Sequence, residues 1–181
     1  ALVDENQKHA KEMITELSEF LRYSLISKNF SDVPLKQELE AIRHYFRVEK
    51  KRYEEKLQVT YEINPLAEEY PVLSFLLHPL VENAVKYGMQ TSEMPLQILL
   101  KAEIVEDNLR LNICNSGNWI EPESSQLEQK KGTGTGLNNI RQRLENAFPD
   151  AHTFRIIKNP NQVCVQIEIS KTLNEQNENE K

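Results

Sequence analysis

The sequence lacks long apolar runs, an excess of basic charge and a secretory leader pattern. No stretch reaches the about 18 consecutive apolar residues that a transmembrane helix requires, so we expect this polypeptide not to span a membrane. With 22 basic and 28 acidic residues the formal net charge is −6, which argues against a nucleic-acid-binding protein, because such proteins present a basic face. The chain begins at Ala1 without a signal-peptide pattern, and we expect it to be an excised fragment.

Cysteine and histidine are also scarce, and their spacing does not predict a zinc site. Cys114 and Cys164 lie in two separate predicted strands, and the four histidines are scattered along the chain. We therefore predict that both cysteines are free, buried apolar thiols in a reducing compartment, rather than a disulfide or metal ligands.

A change in hydrophobic period near residue 55 divides the chain into two parts. Residues from about 4 to 26 and from about 35 to 55 place apolar side chains at helical spacing, with a polar break at 28–32 and Pro34 in the first turn of the second helix. Residues 1–55 are therefore predicted to form a helical hairpin. Its apolar face could pack on the next domain as a cap or pair with a second protomer. We favour dimerisation, because an autonomous-looking α/β unit follows.

Residues 56–170 predict that α/β unit. Alternating apolar and polar residues indicate strands at 57–63, 96–105, 109–114, 153–157 and 162–169. Helical spacing predicts helices at about 72–89 and 133–148. The polar segment 118–131 is predicted to be a loop and 171–181 a disordered polar tail.

Three of the five glycines, Gly132, Gly134 and Gly136, lie within five residues at the start of the last predicted helix. A glycine-rich loop at a helix N-terminus is typical of an anion site, because its backbone amides and the helix dipole both favour negative charge. A glycine cluster alone can equally be a plain flexible loop.

A second polar arrangement lies upstream, where Glu82, Asn83, Lys86 and Tyr87 share one face of the predicted helix. The amide oxygen of Asn83 can join the shell of a hard cation, and the lysine can contact phosphate oxygens. These residues therefore suit a Mg²⁺-bound triphosphate. The solvated face of an ordinary amphipathic helix can have the same composition.

Together these segments resemble a known family. The string H-P-L-V-E-N-A-V-K-Y-G (78–88) resembles the N-box of the GHKL ATP-binding superfamily, and most closely its form in LytS-like (LytS/YehU-type) sensor histidine kinases. The later G-T-G-T-G-L-N-N-I-R-Q-R-L (132–144) resembles the glycine box of that family, and L-N-I-C-N-S-G (111–117) stands where the family has a strand ending in D-N-G. L-R-Y-S-L (21–25) and V-P-L-x-x-E-L (33–39) extend the resemblance to nearly the whole chain apart from the tail.

The resemblance implies an α+β fold, in which the helical hairpin precedes a two-layer α/β sandwich of the Bergerat (GHKL ATP-binding) type with a mixed or antiparallel sheet. It implies an ATP- and Mg²⁺-dependent protein-histidine kinase of a two-component system. The expected partners are ATP, a second protomer bound through the N-terminal helices and the receiver domain of a response regulator, and no nucleic acid. The chain is expected to be a cytoplasmic domain of a bacterial sensor kinase that reaches the membrane only through regions missing from this fragment.

The resemblance also implies roles for single residues. Asn83 is expected to ligate Mg²⁺, Lys86 to contact phosphate oxygens and Glu82 to assist phosphoryl transfer. Asn115 stands where the family has an aspartate that binds the adenine amino group, and its amide oxygen can still accept that bond without the negative charge. Segment 118–131 corresponds to the ATP lid. The other expected nucleotide-binding residues are Tyr87, Gly117, Gly132, Thr133, Gly134, Thr135, Gly136 and Leu137.

Two departures from the family pattern affect these expectations. The second glycine after Asn115 is replaced by Asn118 or Trp119, and Trp119 could stack near the base or anchor the lid. The family's phosphoacceptor string, N-P-H-F-L-F-N, does not occur, so the target histidine is expected to lie upstream of this fragment. The histidines at 9, 44 and 78 are expected to be structural or solvated.

Two rival interpretations come from other functional classes. A non-catalytic GHKL-fold dimerisation module with weak or lost nucleotide binding would explain Asn115 and the missing glycine. A GHKL ATPase or anti-sigma-type serine kinase is disfavoured by the long N-terminal hairpin and by the two motifs within it.

Overall fold

A five-stranded mixed sheet and the helices on one of its faces organise the molecule. The computed structural model describes residues 2–26, 32–121 and 135–170. The helices are α1 (Leu2–Ile26), α2 (Leu35–Tyr53), α3 (Leu77–Thr91) and α4 (Thr135–Ala147). The strands are β1 (Asp32–Pro34), β2 (Leu57–Ile63), β3 (Pro71–Leu73), β4 (Leu96–Val105), β5 (Asn108–Ser116), β6 (His152–Asn159) and β7 (Gln162–Ile169).

The sheet has the strand order β2-β4-β5-β7-β6, with β2 parallel to β4 and all other neighbours antiparallel. The β4–β5 hairpin turns at Glu106 and Asp107, which both have positive φ, as tight hairpin turns require. Because side chains alternate between faces, one face of the sheet carries a continuous apolar set. That set includes Ile98, Leu100, Leu111, Ile113, Val165 and Ile167, all buried.

Helices α3 and α4 cover this apolar face. Leu80, Val81, Ala84 and Val85 of α3 are buried, as are Ile140 and Leu144 of α4. The spacing of these residues gives each helix one apolar stripe, which packs on the sheet. The predicted α+β fold, a helical hairpin followed by a two-layer sandwich, is confirmed. Among the described residues, no helix combines the length and the apolarity needed to cross a bilayer.

A short second sheet between β1 and β3 was not predicted. Val33 pairs with Val72 in this antiparallel ladder, so Pro34 ends a strand and does not occupy the first turn of α2. The same ladder delays the start of α3 from the predicted position near 72 to Leu77. Strands of three residues are too short to show a period in the sequence.

The prediction of free cysteine thiols was wrong. Cys114 on β5 and Cys164 on β7 lie directly opposite each other, and their Sγ atoms are 2.11 Å apart in a disulfide. The register of the two strands brings together residues that are distant in sequence. The segment 122–134, which includes most of the predicted lid and Gly132, Thr133 and Gly134, lies outside the described residues, as does the predicted tail at 171–181.

Candidate nucleotide site

Helix α3 forms one wall of the candidate site. Its buried stripe turns Asn83 and Tyr87, one turn apart, to a half-buried position beside the core, whereas Glu82 and Lys86 are exposed. The Lys86 Nζ lies 5.0 Å from the centroid of the Tyr87 ring, a cation–π contact. The four residues predicted to share one face therefore divide into a partly buried pair and an exposed pair.

The start of α4 lies directly against Asn83. A Cβ atom added to Gly136 would be 3.5 Å from Asn83 Nδ2, so no side chain separates the two. Thr135 is the first residue of α4, and the half-buried Leu137 packs against the apolar core. The fold thus brings the helix N-terminus of the glycine box to the carboxamide of the N-box, although the two are distant in sequence.

Asn115 reaches the same helix nearer its C-terminal end. Its side chain is buried, and its Nδ2 donates to the Ser116 carbonyl at 2.7 Å. A Cβ on Gly88 would lie 3.4 Å from that Nδ2 and 2.5 Å from Leu96 Cδ1, so the glycine permits the close approach of α3 to β4 and β5. Gly136 of α4 and Asn115 of β5 therefore approach α3 at two positions five residues apart, Asn83 and Gly88.

The end of β5 is fixed against the end of α3. Gly117 has φ +100°, and a Cβ there would lie 2.4 Å from Thr91 Oγ1 and 2.8 Å from the Ser92 backbone nitrogen. The Gly117 amide donates to the Asn161 carbonyl at 3.0 Å, and the Asn118 amide donates to Thr91 Oγ1 at 3.1 Å. A residue without a side chain is needed here.

Trp119 anchors the beginning of the predicted lid to β6. Lys158 Nζ lies 4.5 Å from the centroid of the indole ring and donates to Glu121 Oε1 at 2.7 Å. Of the two roles left open by the sequence, stacking near the base or anchoring the lid, these contacts favour the anchor.

His78 lies one turn before Glu82 and is packed among aromatic rings. The rings of Phe20, Phe75 and Tyr45 have centroids 4.7, 4.8 and 5.2 Å from its own. Burial lowers the pKa of His78, although the Glu82 carboxylate, 3.6 Å from its Nε2, opposes that shift. A neutral ring in an aromatic cluster agrees with the expected structural role.

Two further histidines also have structural partners. His44 Nδ1 lies 2.5 Å from Glu16 Oε2, joining α2 to α1. His152 Nδ1 lies 2.8 Å from the Phe148 carbonyl at the end of α4.

Sequence reasoning missed a buried carboxylate behind the site. Glu38 of α2 is 1% exposed, and it accepts hydrogen bonds from the backbone amides of Phe75 and Leu77 at 2.6 and 2.9 Å and from the Tyr23 hydroxyl. Burial raises the pKa of Glu38. The hydrogen bonds favour the ionised form and oppose this shift without cancelling it. The sequence did contain a signal for Glu38, because it is the glutamate of the V-P-L-x-x-E-L motif. That motif contributed to the resemblance but did not by itself predict a buried carboxylate.

Relatives of known type match most of the chain. The histidine kinase family model matches residues 1–57. Sensor protein LytS of Staphylococcus saprophyticus is 27% identical over 154 residues, which are 82% of this chain and 26% of the relative. Sensor histidine kinase YesM of Bacillus subtilis is 29% identical over 150 residues, 83% of this chain and 26% of the relative. The chain therefore spans about a quarter of the length of these curated relatives.

Solved structures share the fold at low sequence identity. The histidine kinase domain of the Erythrobacter litoralis EL346 blue-light activated histidine kinase has a TM-score of 0.59 and 13% identity, covering 93% of this chain and 77% of that one. Histidine kinase ThkA, solved in complex with response regulator protein TrrA, has a TM-score of 0.56 and 19% identity, covering 87% of this chain and 48% of that one. The relatives thus confirm the resemblance to LytS-like sensor histidine kinases, and the solved structures confirm the fold of a histidine kinase domain.

Proposed function

We propose that this chain is the ATP-binding catalytic part of a two-component sensor histidine kinase, which transfers the γ-phosphoryl group of ATP to a histidine upstream of this segment and then to a response regulator. The observation that carries the proposal is the approach of Gly136, at the start of α4, to the Asn83 carboxamide on α3. A helix N-terminus and a hard oxygen donor at one place suit the phosphates of a nucleotide.

The nucleotide would lie along α3. Asn115, with Gly117 and Tyr87 nearby, would receive the adenine, whose amino group can donate to the Asn115 amide oxygen. The phosphates would lie toward Asn83 and Lys86, where the amides of 132–137 would meet them. Asn83 lies on α3 five residues before Gly88, which Asn115 approaches, and five residues span about 7.5 Å along the helix axis. Base and phosphates would therefore occupy different ends of one groove.

Asn83 fits a magnesium ligand, because its carboxamide, whose Nδ2 lies beside the start of α4, also carries an oxygen that can ligate a hard cation. When bound, Mg²⁺ would neutralise charge on the phosphate oxygens. The chain's own residues would hold the phosphates through Lys86 and the α4 amides, so that catalysis rests on positioning. The exposed Glu82 is proposed to assist phosphoryl transfer from the neighbouring position.

A homodimer through α1 is supported by an apolar stripe on that helix. Ile14, Leu17, Leu21 and Leu25 are 65%, 46%, 49% and 65% exposed. Their spacing of three and four residues places them on one face, as in helices that pair with another helix. A second copy of α1 would cover this face.

A response regulator as partner and a cytoplasmic location are further parts of the proposal. ThkA, which shares this fold, was solved with a response regulator, and this supports a receiver domain as the protein partner. The relatives are sensor proteins by name, which supports a cytoplasmic kinase domain. A membrane anchor in regions outside this chain is part of the proposal.

A second candidate function is a non-catalytic dimerisation module. The observations that favour it are Asn115 in place of the aspartate and Asn118, which follows Gly117 without a second glycine. A missing charge at Asn115 would weaken the contact to adenine by about 1 kcal/mol.

Phosphoryl transfer in a polypeptide extended upstream to include the acceptor histidine tests the proposal. With γ-labelled ATP and Mg²⁺, we expect an acid-labile, base-stable phosphoprotein that passes its label to a response regulator. Asn83→Ala should abolish labelling. Gln90→Ala, an exposed carboxamide on the same helix, should label like the wild type. Nucleotide hydrolysis without phosphohistidine would support an ATPase instead, and no nucleotide binding would support the non-catalytic module.

A further inference from the structure

The turn between β3 and α3 has a strained backbone that is held by hydrogen bonds from two helices. Phe75 has φ +58°, a left-handed conformation that a bulky aromatic residue rarely adopts. Such outliers persist only where the surroundings enforce them, and they cluster at functional sites. The question is what enforces this one.

Glu38 enforces the turn from the α2 side. Its two carboxylate oxygens accept the Phe75 and Leu77 backbone amides at 2.6 and 2.9 Å. Helix α3 has no side-chain cap of its own at its N-terminus, so a carboxylate from another helix satisfies the amide of Leu77, the first residue of α3, and complements the helix dipole. The position of Glu38 thus determines where α3 begins.

Arg143 holds the same turn from the α4 side. Its guanidinium donates to the Ser74 carbonyl at 2.5 Å and to the Phe75 carbonyl at 3.3 Å. Phe75 is therefore held through its amide by α2 and through its carbonyl by α4. Arg143 lies two turns after Gly136, on the helix that begins at the candidate phosphate site.

Helix α1 joins this arrangement through Tyr23. The Tyr23 hydroxyl donates to the same Glu38 oxygen that accepts the Phe75 amide. One turn earlier, the Phe20 ring contacts the rings of Phe75 and His78 at centroid distances of 6.3 and 4.7 Å. A movement of α1 therefore acts on the buried carboxylate and on the first turn of α3 together.

We propose that Glu38 is a positioning residue that couples the docking of α1, through Tyr23, to the placement of Asn83 in the nucleotide site. Asn83 follows Leu77 by six residues, about 9 Å along a rigid helix, so a displacement of the α3 N-terminus is carried to it. In the other direction, a nucleotide that shifts α4 acts on the same turn through Arg143. Coupling of this kind is reciprocal. The inference rests on the proposed nucleotide site.

Tyr23→Phe is the variant that tests the coupling, because it removes one hydroxyl and keeps the ring. Tyr53→Phe, another half-buried tyrosine in the helical hairpin, is the matched control. Amide hydrogen exchange is followed by mass spectrometry with and without Mg²⁺ and a non-hydrolysable ATP analogue. In the wild type and the control, we expect the analogue to slow exchange in residues 18–26 of α1 by about fivefold or more. In Tyr23→Phe, the analogue should still slow amide exchange in α3, but it should no longer slow amide exchange in α1.

The same protection of α1 in Tyr23→Phe as in the wild type would overturn the proposal. A purely structural contact would lower the thermal midpoint without separating the responses of α1 and α3. Glu38→Gln, which keeps the shape of the side chain, should lose the same response if it folds. If the wild type does not bind the analogue, the proposed site fails, and exchange without ligand decides the coupling. Faster exchange of the first turn of α3 in Tyr23→Phe then supports it, and unchanged exchange contradicts it.

Discussion

The two helices of the N-terminal hairpin have similar apolar periodicity but very different surroundings. Helix α2 buries Leu35, Leu39, Ile42 and Phe46 to 2% exposure or less in the core that also contains the sheet. Helix α1 leaves four apolar side chains at least 46% exposed along one face. An apolar stripe predicts that a face is covered, but it does not identify what covers it.

The contacts of α1 with α2 combine ion pairs with a few other contacts, namely the rings of Phe20 and Tyr45 and the hydrogen bond from Tyr23 to Glu38. Arg47 donates to Glu16 at 2.8 Å, and Lys51 pairs with Glu12. Exposed ion pairs of this type contribute little, whereas each large side chain buried in the core contributes more. Helix α2 is therefore integral to the core that contains the sheet, and α1 is held by a few specific contacts and by its proposed partner.

The largest expected effect is the difference in stability loss between a substitution in α2 and one in α1. Phe46→Ala removes a buried ring from α2 and should lower the free energy of unfolding by about 3–5 kcal/mol. Leu17→Ala on the exposed face of α1 should change it by about 1 kcal/mol or less. Urea unfolding at low protein concentration, where dimerisation contributes least, measures both. Equal losses would show that the α1 stripe is covered within the monomer.

The next effect concerns the apolar face of α1 itself. Leu21→Glu places a charge within the proposed dimer interface and should raise the dimer dissociation constant about tenfold or more. Thr15→Glu introduces the same charge away from the stripe and should leave the dimer dissociation constant nearly unchanged. Sedimentation equilibrium gives both constants. A wild-type chain that stays monomeric at high concentration would contradict pairing through this face.

The smallest expected effect is on the pH dependence of stability and concerns His78 of α3, whose ring contacts Phe20 of α1. Burial lowers the pKa of His78 below its ordinary value of 6.5, so the unfolded chain takes up a proton near that pH while the folded chain does not. The stability that His78 contributes is thus fully present above about pH 6.5 and is lost as the pH falls further, by at most about 1.4 kcal/mol per pH unit.

Comparison with His78→Phe isolates this contribution, because titration of Glu38 and of other groups is common to both chains. Unfolding midpoints measured between about pH 7.5 and 5.5 should fall more steeply for the wild type than for the variant. Parallel curves would show that His78 titrates normally in the folded chain.

The sequence predicted the long elements well and the short or non-local ones poorly. Strands such as β2 and β7 were predicted to the residue, because alternation over seven or eight positions is a clear signal. Strands β1 and β3 have three residues each and no period, so the start of α3 was misplaced. The Cys114–Cys164 disulfide depends on the register between β5 and β7, which no local pattern encodes.

The candidate site shows the same division. That Asn83 and Tyr87 share a helix face follows from their spacing, and the resemblance assigned both Asn83 and Gly136, which the fold brings together, to the nucleotide site. The contact of Asn115 with Gly88 and the burial of Glu38 at the start of α3 depend on how distant elements pack. Their individual motifs do not contain that information.

The most direct test of the account is a calorimetric titration of the chain with ATP or a non-hydrolysable analogue, with and without Mg²⁺, beside Asn83→Ala and the exposed control Gln90→Ala. We expect binding that Mg²⁺ strengthens, that Gln90→Ala retains and that Asn83→Ala abolishes. Absence of binding at millimolar nucleotide, or equal binding by Asn83→Ala, would contradict a nucleotide site between α3 and α4.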